Sequence, residues 1–284
     1  MNALQQADLT ARKIAIKVLP AGAKRTMLRR RRQLVNTFLQ CRSLAGHCGT
    51  LPSFLIIGGQ KCGTTDLYDR LVKHPQVHKA ILKEIDYFQV HYSKGLAWYR
   101  SHFPNLEDEK PRLEEDALLN KGYDWYRPPA AAQHGSNGRP ITGEASGYLS
   151  YPAAPYRIQA LLPDVKLIAL LRNPVNRAYS HFNHVRRLGI EPVETFEEAL
   201  ELELRRKQGD APPDPPGKRY RLGERSYLSK GLYADQLEHW YRCFPREQVM
   251  VIQSEQFYRD TRATVLAVTE FLGLPEWEPE DYRG

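Results

Sequence analysis

The sequence predicts an α/β protein of three layers, a mostly parallel sheet with helices on both faces, and two observations predict it. Short aliphatic runs at residues 55–57, 165–171 and 249–252 alternate with segments of helical periodicity, the pattern of a buried parallel sheet covered on both sides. The first of these runs also passes through a glycine-rich turn straight into an amphipathic helix, so one strand-turn-helix unit organises the rest.

That unit runs from Leu55 to Tyr68. After Leu55, Ile56 and Ile57, the glycines Gly58, Gly59 and Gly63 let the backbone bend and approach a ligand closely. Thr64 and Thr65 then fall where a new helix offers unpaired N–H groups and the positive end of its dipole, which suits phosphate or sulfate. The spacing resembles the nucleoside-triphosphate P-loop with one departure: Thr64 stands where that loop has its lysine, and the lysine has moved back to Lys61. An ATPase or GTPase is therefore not expected, and a structural turn with an incidental lysine is the alternative. Cys62 lies in the cradle; a small residue that fits is favoured over a nucleophile, since nothing near it in sequence would activate a thiolate.

The remaining elements follow in order. Leu67, Tyr68, Leu71 and Val72 carry the first helix until His74 and Pro75 stop it. The segment from Lys83 to Phe88 mixes charge and apolar residues and, on pattern alone, reads equally well as a solvated loop. Residues 91–104 are rich in aromatics and suit a helix partly covering a site. Residues 105–138 suggest surface loops and short helices. Residues 141–148 read as a strand end entering a small-residue turn, with Glu144 able to face a site. The strand at 165–171 ends in Arg172 and Asn173; Pro174 suits the first turn of a helix capped by Asn173, with Ala178, Tyr179 and Phe182 inward and Arg172 and Ser180 near its opening turns. Arginine at this strand end offers a cation to an anionic ligand rather than a carboxylate to magnesium, a surface residue being the alternative. Thr195 and Glu198 predict a capping box for a helix to Gln208. Residues 209–217 read as a loop. A helix is expected over 228–241, its stripe of Tyr233, Leu237, Trp240 and Tyr241 read as core. A last helix opens at Asp260 and closes at Gly273.

Composition narrows the function. The 284 residues, 42% hydrophobic and 26% charged, suit one large domain, and no apolar run reaches the ~20 residues of a membrane-spanning helix. The net charge of +8 is concentrated: no acid lies between Asp8 and Asp66, while eleven Lys and Arg do, including Arg29 to Arg32. From Asp66 onward 30 basic residues meet 32 acidic ones. The expected organisation is a basic N-terminal arm over 1–50 and a catalytic domain over 51–284. The arm reads as a solvated or partly helical segment touching polyanions or a membrane surface; an Arg-rich transit peptide is a second reading, and nucleic acid is not expected because no stacking aromatics accompany the charge. Cys41, Cys48, Cys62 and Cys243 have neither disulfide-scaffold density nor paired metal spacing, so reduced thiols are expected. Localisation is expected to be cytoplasmic, with an organelle, or the Golgi should an anchor precede this chain, as alternatives.

Taken together, Lys61 to Thr65, Lys83 to Phe88, Gly143 to Ser146, Leu171 to Pro174 through Tyr179 and Ser180, and Gly231, Leu232 and Tyr233 to Glu255 resemble, in this order, the nucleotide-dependent sulfotransferases of the heparan and chondroitin sulfate branch and their bacterial relatives. The resemblance covers about residues 51–274 and implies the P-loop-like sulfotransferase fold. It also implies transfer of a sulfuryl group from 3′-phosphoadenosine 5′-phosphosulfate (PAPS) to a hydroxyl or amine of an acceptor, a glycan or a small hydroxylated molecule. It assigns Lys61, Cys62, Gly63, Thr64 and Thr65 to the 5′-phosphosulfate loop, and Arg172 and Ser180 to the 3′-phosphate. Lys61 and Glu84 become the catalytic pair, Glu84 as general base, with Glu144 as another candidate base. No metal is expected. A Mg-dependent phosphoryl transferase and a catalytically silent nucleotide-binding module are the alternatives. Two departures are visible: Ala145 stands where heparan-type members often carry lysine, and the chain ends at Gly284 where relatives continue over the nucleotide, so either a truncated end or a more open site is expected.

Overall fold

The computed structural model describes residues 21–106, 139–210 and 225–277, with side chains described from Gln33 onward. The described residues form two compact units: one takes residues up to Thr50 and those from Lys94 to Leu106, the other takes Leu51–Ser93 and the described residues from Arg139 onward. In the first unit, helix α1 (Ala21–Leu44) carries the arginine run. Its second half is packed: Leu39, Tyr99 and Phe103 are wholly buried, and Arg42 donates to the Phe103 carbonyl at 3.4 Å. The aromatic segment holds a five-residue helix, Leu96–Arg100. Among the described residues no helix is long and apolar enough to cross a membrane.

The second unit is the sheet. β1 (Phe54–Ile56) leads to α2 (Thr64–Leu71) and β2 (Val77–Lys79). β3 (Ile141–Ala145) is followed by α3 (Ala154–Leu161) and β4 (Lys166–Leu171), then α4 (Pro174–Arg187) and α5 (Phe196–Gln208). α6 (Tyr233–Tyr241) precedes β5 (Val249–Gln253), after which come α7 (Ser254–Arg259) and α8 (Thr261–Phe271). All pairings are parallel, in the order β2-β3-β1-β4-β5. Phe54 and Ile56 pack with Ile168 and Leu170 against Leu67 and Leu71 of α2, Phe257 of α7, and Val265 and Val268 of α8. Strand residues of the other parity, Leu55, Leu167 and Ala169, are equally buried, so the sheet is covered on both faces. This is the three-layer architecture expected.

The local reasons are those the sequence carries. Asn173 caps α4 by accepting from the N–H groups of Val175 and Asn176, with Pro174 opening the helix. Thr195 and Glu198 form the capping box of α5. Asp260 caps α8, accepting from Ala263 N at 3.0 Å, and Gly273 follows its end with φ 71°.

Three expectations differ from the outcome. Tyr179 is 54% exposed; the inward face of α4 carries Arg177 and His181 beside Ala178, Phe182 and Val185. The helix expected from Leu228 begins at Tyr233, because the buried Glu203 carboxylate of α5 takes the N–H groups of Tyr227, Leu228 and Ser229 and the Ser229 hydroxyl. Held that way, residues 229–231 make a 3₁₀ turn instead. Of the stripe read as core there, only Trp240 is buried. The expected loops at 107–138 and 211–217 and the chain end lie outside the described residues.

Candidate functional site

The connection after β1 leaves toward β2 and β3, and the one after β4 leaves toward β5. The carboxyl ends of β1 and β4 therefore flank a topological switch point, where open α/β sheets bind ligands. The two loops at that point are the glycine-rich turn and Arg172. Gly59 N–H donates to Leu170 O at 3.0 Å and the Arg172 guanidinium to Lys61 O at 3.4 Å, tying one loop to the other. Closeness requires glycine: a Cβ on Gly58 would lie 2.6 Å from Leu170 N, and Gly63 adopts φ 92° at the cap of α2. The first-turn N–H groups of α2 then point out of the helix without i−4 acceptors, at its positive end.

Lys61 sits at the mouth of this cradle with φ 69°. Burial lowers the pKa of its ammonium, Arg187 and Arg172 lower it further, and Glu84 opposes them. Thr64 is half-buried and Thr65 exposed at the start of α2. Cys62 differs from its neighbours: the thiol is buried, burial raises its pKa, and it faces the Tyr233 hydroxyl at 3.9 Å, while its N–H closes onto Gly59 O. It shapes the turn from within, as a small residue that fits.

Glu84 is exposed, on a segment that is anything but loose. Ile85, Tyr87 and Phe88 are buried, so the solvated-loop reading does not describe it. Glu84 and Asp86 both have left-handed backbone, φ 54° and 53°, a conformation costing of order 1–3 kcal/mol each in a residue with a side chain. Glu144 is wholly buried in β3, accepting from Ser146 Oγ at 2.7 Å and from the Tyr148 hydroxyl at 3.0 Å.

Ser180 is half-buried on α4, and His184 and Arg187 follow it at i+4 and i+7 on one face of that helix. Burial holds His184 below its usual pKa, with Lys61 and Arg187 adding to the effect and Glu84 opposing. One field thus links Lys61, Glu84, Arg172, His184 and Arg187: a carboxylate among basic side chains at the mouth of the glycine-rich cradle. The spacing from Ser180 was the signal that could have found His184 and Arg187. Lys230 is a further cation the sequence reading did not single out; its ammonium donates to Gln60 Oε1 at 2.8 Å, beside Lys61.

The profile of the sulfotransferase domain family matches residues 51–282. The chain belongs to the sulfotransferase family. It is 31% identical over 223 residues to human heparan sulfate glucosamine 3-O-sulfotransferase 6, covering 78% of this chain and 52% of that protein. It is also 31% identical over 236 residues to mouse bifunctional heparan sulfate N-deacetylase/N-sulfotransferase 1, covering 80% of this chain and 22% of that one. The chain thus spans between about a fifth and a half of the length of these relatives. Among solved structures, a sulfotransferase from Alicyclobacillus acidocaldarius shares 29% identity and superposes with a TM-score of 0.55, over 81% of this chain and 88% of that one. The fold and order of motifs here are therefore those of a sulfotransferase domain.

Proposed function

We propose that this domain transfers a sulfuryl group from PAPS to a hydroxyl or amine of a carbohydrate. The observation carrying the reading is the cradle at the switch point, where the Arg172 guanidinium donates to Lys61 O at the head of α2, with the exposed carboxylate Glu84 near enough to act on the Lys61 ammonium. The residues present fit such a donor: the α2 N-terminus and Lys61 suit the 5′ end, and Arg172 and Ser180 the 3′-phosphate. When bound, the donor supplies an activated sulfuryl group whose leaving group is a phosphate. Lys61 neutralises charge growing on that leaving oxygen, and the cradle N–H groups hold its neighbours without rearranging, the effect of preorganised dipoles. Glu84 accepts the proton that the attacking hydroxyl or amine gives up. Much of the remaining work is alignment, as in phosphoryl transfer.

The names of the similar proteins support a carbohydrate acceptor, and Arg187, in the same field as Lys61 and Glu84, favours one that is itself acidic. Arg29 to Arg32 of α1 are proposed to add a salt-sensitive attraction for polyanions. Incubating the protein with sulfur-labelled PAPS and a panel of neutral and acidic oligosaccharides, with EDTA present, tests the reading. Label should enter an acidic glycan and 3′,5′-bisphosphoadenosine should accumulate. Turnover of ATP with magnesium and none of PAPS would favour a phosphoryl transferase; tight bisphosphate binding without transfer to any acceptor would leave a silent binding module.

A further inference from the structure

Two carboxylates compete in the sequence for the acceptor proton, Glu84 and Glu144, and the structure gives them different surroundings. Glu144 lies opposite Leu55 of β1, 0% exposed, with an O–H group on each oxygen. A sugar hydroxyl cannot reach it there. What Glu144 does reach, through a single hydroxyl, is the Glu84 segment. Ser146 Oγ donates its proton to Glu144 Oε2, which leaves its lone pairs to accept the Asp86 N–H at 3.2 Å. Two residues earlier the Glu84 N–H donates to Ala145 O at 3.1 Å.

These two bonds bracket Ile85, and the residues that make them are the two of this segment with left-handed backbone. Such a conformation persists in residues with side chains when the surroundings over-determine it. Tyr148, on the other oxygen of Glu144, meets the far end of the segment, its ring edge-on to Phe88 at 5.6 Å. The hub is in turn fastened to the strand that leads into the cradle: Ser146 N–H donates to Ile56 O at 3.1 Å and Leu149 N–H to Ile57 O at 2.9 Å. The placement of the Glu84 segment relative to Lys61 is therefore set through β1 rather than by the segment itself.

We propose that Glu144 is a positioning residue which, by orienting the Ser146 hydroxyl, holds Glu84 in the strained geometry that presents its carboxylate beside Lys61. The proposal rests on the reading of Glu84 as the base. It accounts for a buried acid one strand residue away from the site edge without giving it a proton to move.

Ser146→Ala removes the acceptor for Asp86 N–H and leaves every cradle residue in place. Its turnover should fall ~10- to 100-fold, the scale of a misplaced reacting group, with donor affinity unchanged by bisphosphate titration. The deciding comparison is the double variant: in the Glu84→Gln background Ser146→Ala should cost nothing further, because placing an absent base has no value. Should Ser146→Ala not fold, Ser146→Cys, which fills the same space with a weak acceptor, replaces it in the same cycle. A full multiplicative loss in the double variant, a parallel loss of donor affinity, or a wild-type rate for the single variant would overturn the proposal. A wild-type rate for Glu84→Gln alone would instead remove the base reading on which it rests.

Discussion

The two sides of the site are built by opposite means. The glycine-rich cradle is contiguous: a buried strand, glycines at the points of close approach and a helix start, all within residues 54–71, with Arg172 brought alongside by one strand pairing. The Glu84 side is assembled from bonds between distant segments, Asp86 to Ser146, Glu84 to Ala145 and Phe88 to Arg157, around a backbone that would not adopt its shape alone. A motif that works through its own backbone can be read from sequence spacing. A site that works through imposed geometry cannot, and its residues pass for an ordinary loop.

The largest effect that would sharpen this contrast concerns the 3′-phosphate. Arg172→Ala should weaken 3′,5′-bisphosphoadenosine by the ~2–5 kcal/mol of a broken charge pair, roughly 30- to 5,000-fold, and leave 5′-AMP nearly unaffected. Titrations of both nucleotides measure it, and equal losses would take Arg172 out of that role.

Next in size is a pair of glycines, one from each side. Gly58→Ala drives a methyl into the backbone of Leu170 and should cost about 1–3 kcal/mol in urea unfolding. Gly147, in the turn of the Glu144 hub, has open space around the place of a Cβ, and Gly147→Ala should stay within about 0.5 kcal/mol of the parent. Similar costs at the two positions would break the distinction between a cradle dependent on close backbone approach and a hub dependent on side-chain bonds.

The smallest effect is electrostatic. Burial and two arginines lower the Lys61 pKa from 10.5, and an anion bound in the cradle restores the charged form. Donor affinity should accordingly be complete below the lowered pKa of the free protein and decline as pH rises from it toward the higher value of the complex, by at most about tenfold per pH unit. Bisphosphate titrations over alkaline pH, with Lys61→Arg as the comparison, should show a slope in the parent and a flatter line in the variant.

Particular residues show where sequence reading stopped. Asn173, Pro174, Thr195, Glu198 and Asp260 act through local bonds, and the elements they cap begin where their spacing places them. β2 escaped because it is three residues at the sheet edge with one buried side chain. Apolar character alone points Tyr179 rather than Arg177 inward on α4. The structure instead buries Arg177, which donates to the Tyr227 carbonyl and so packs α4 against the loop that Glu203 holds. Only the family resemblance gives Glu84 a role in the sequence: nothing in Lys83 to Phe88 announces a left-handed backbone, because the residues that impose it lie some sixty positions away.

At the centre of the proposed function Lys61 and Glu84 serve different partners, one the donor and one the acceptor. Single-turnover sulfation by Glu84→Gln and Lys61→Ala, each alongside a donor titration, tests it most directly. Lys61→Ala should lose donor affinity and rate together. Glu84→Gln should bind the donor as the parent does and transfer sulfate on the order of 10²- to 10⁴-fold more slowly. Transfer by Glu84→Gln at the parent's rate, or a loss of donor affinity equal to that of Lys61→Ala, would contradict it.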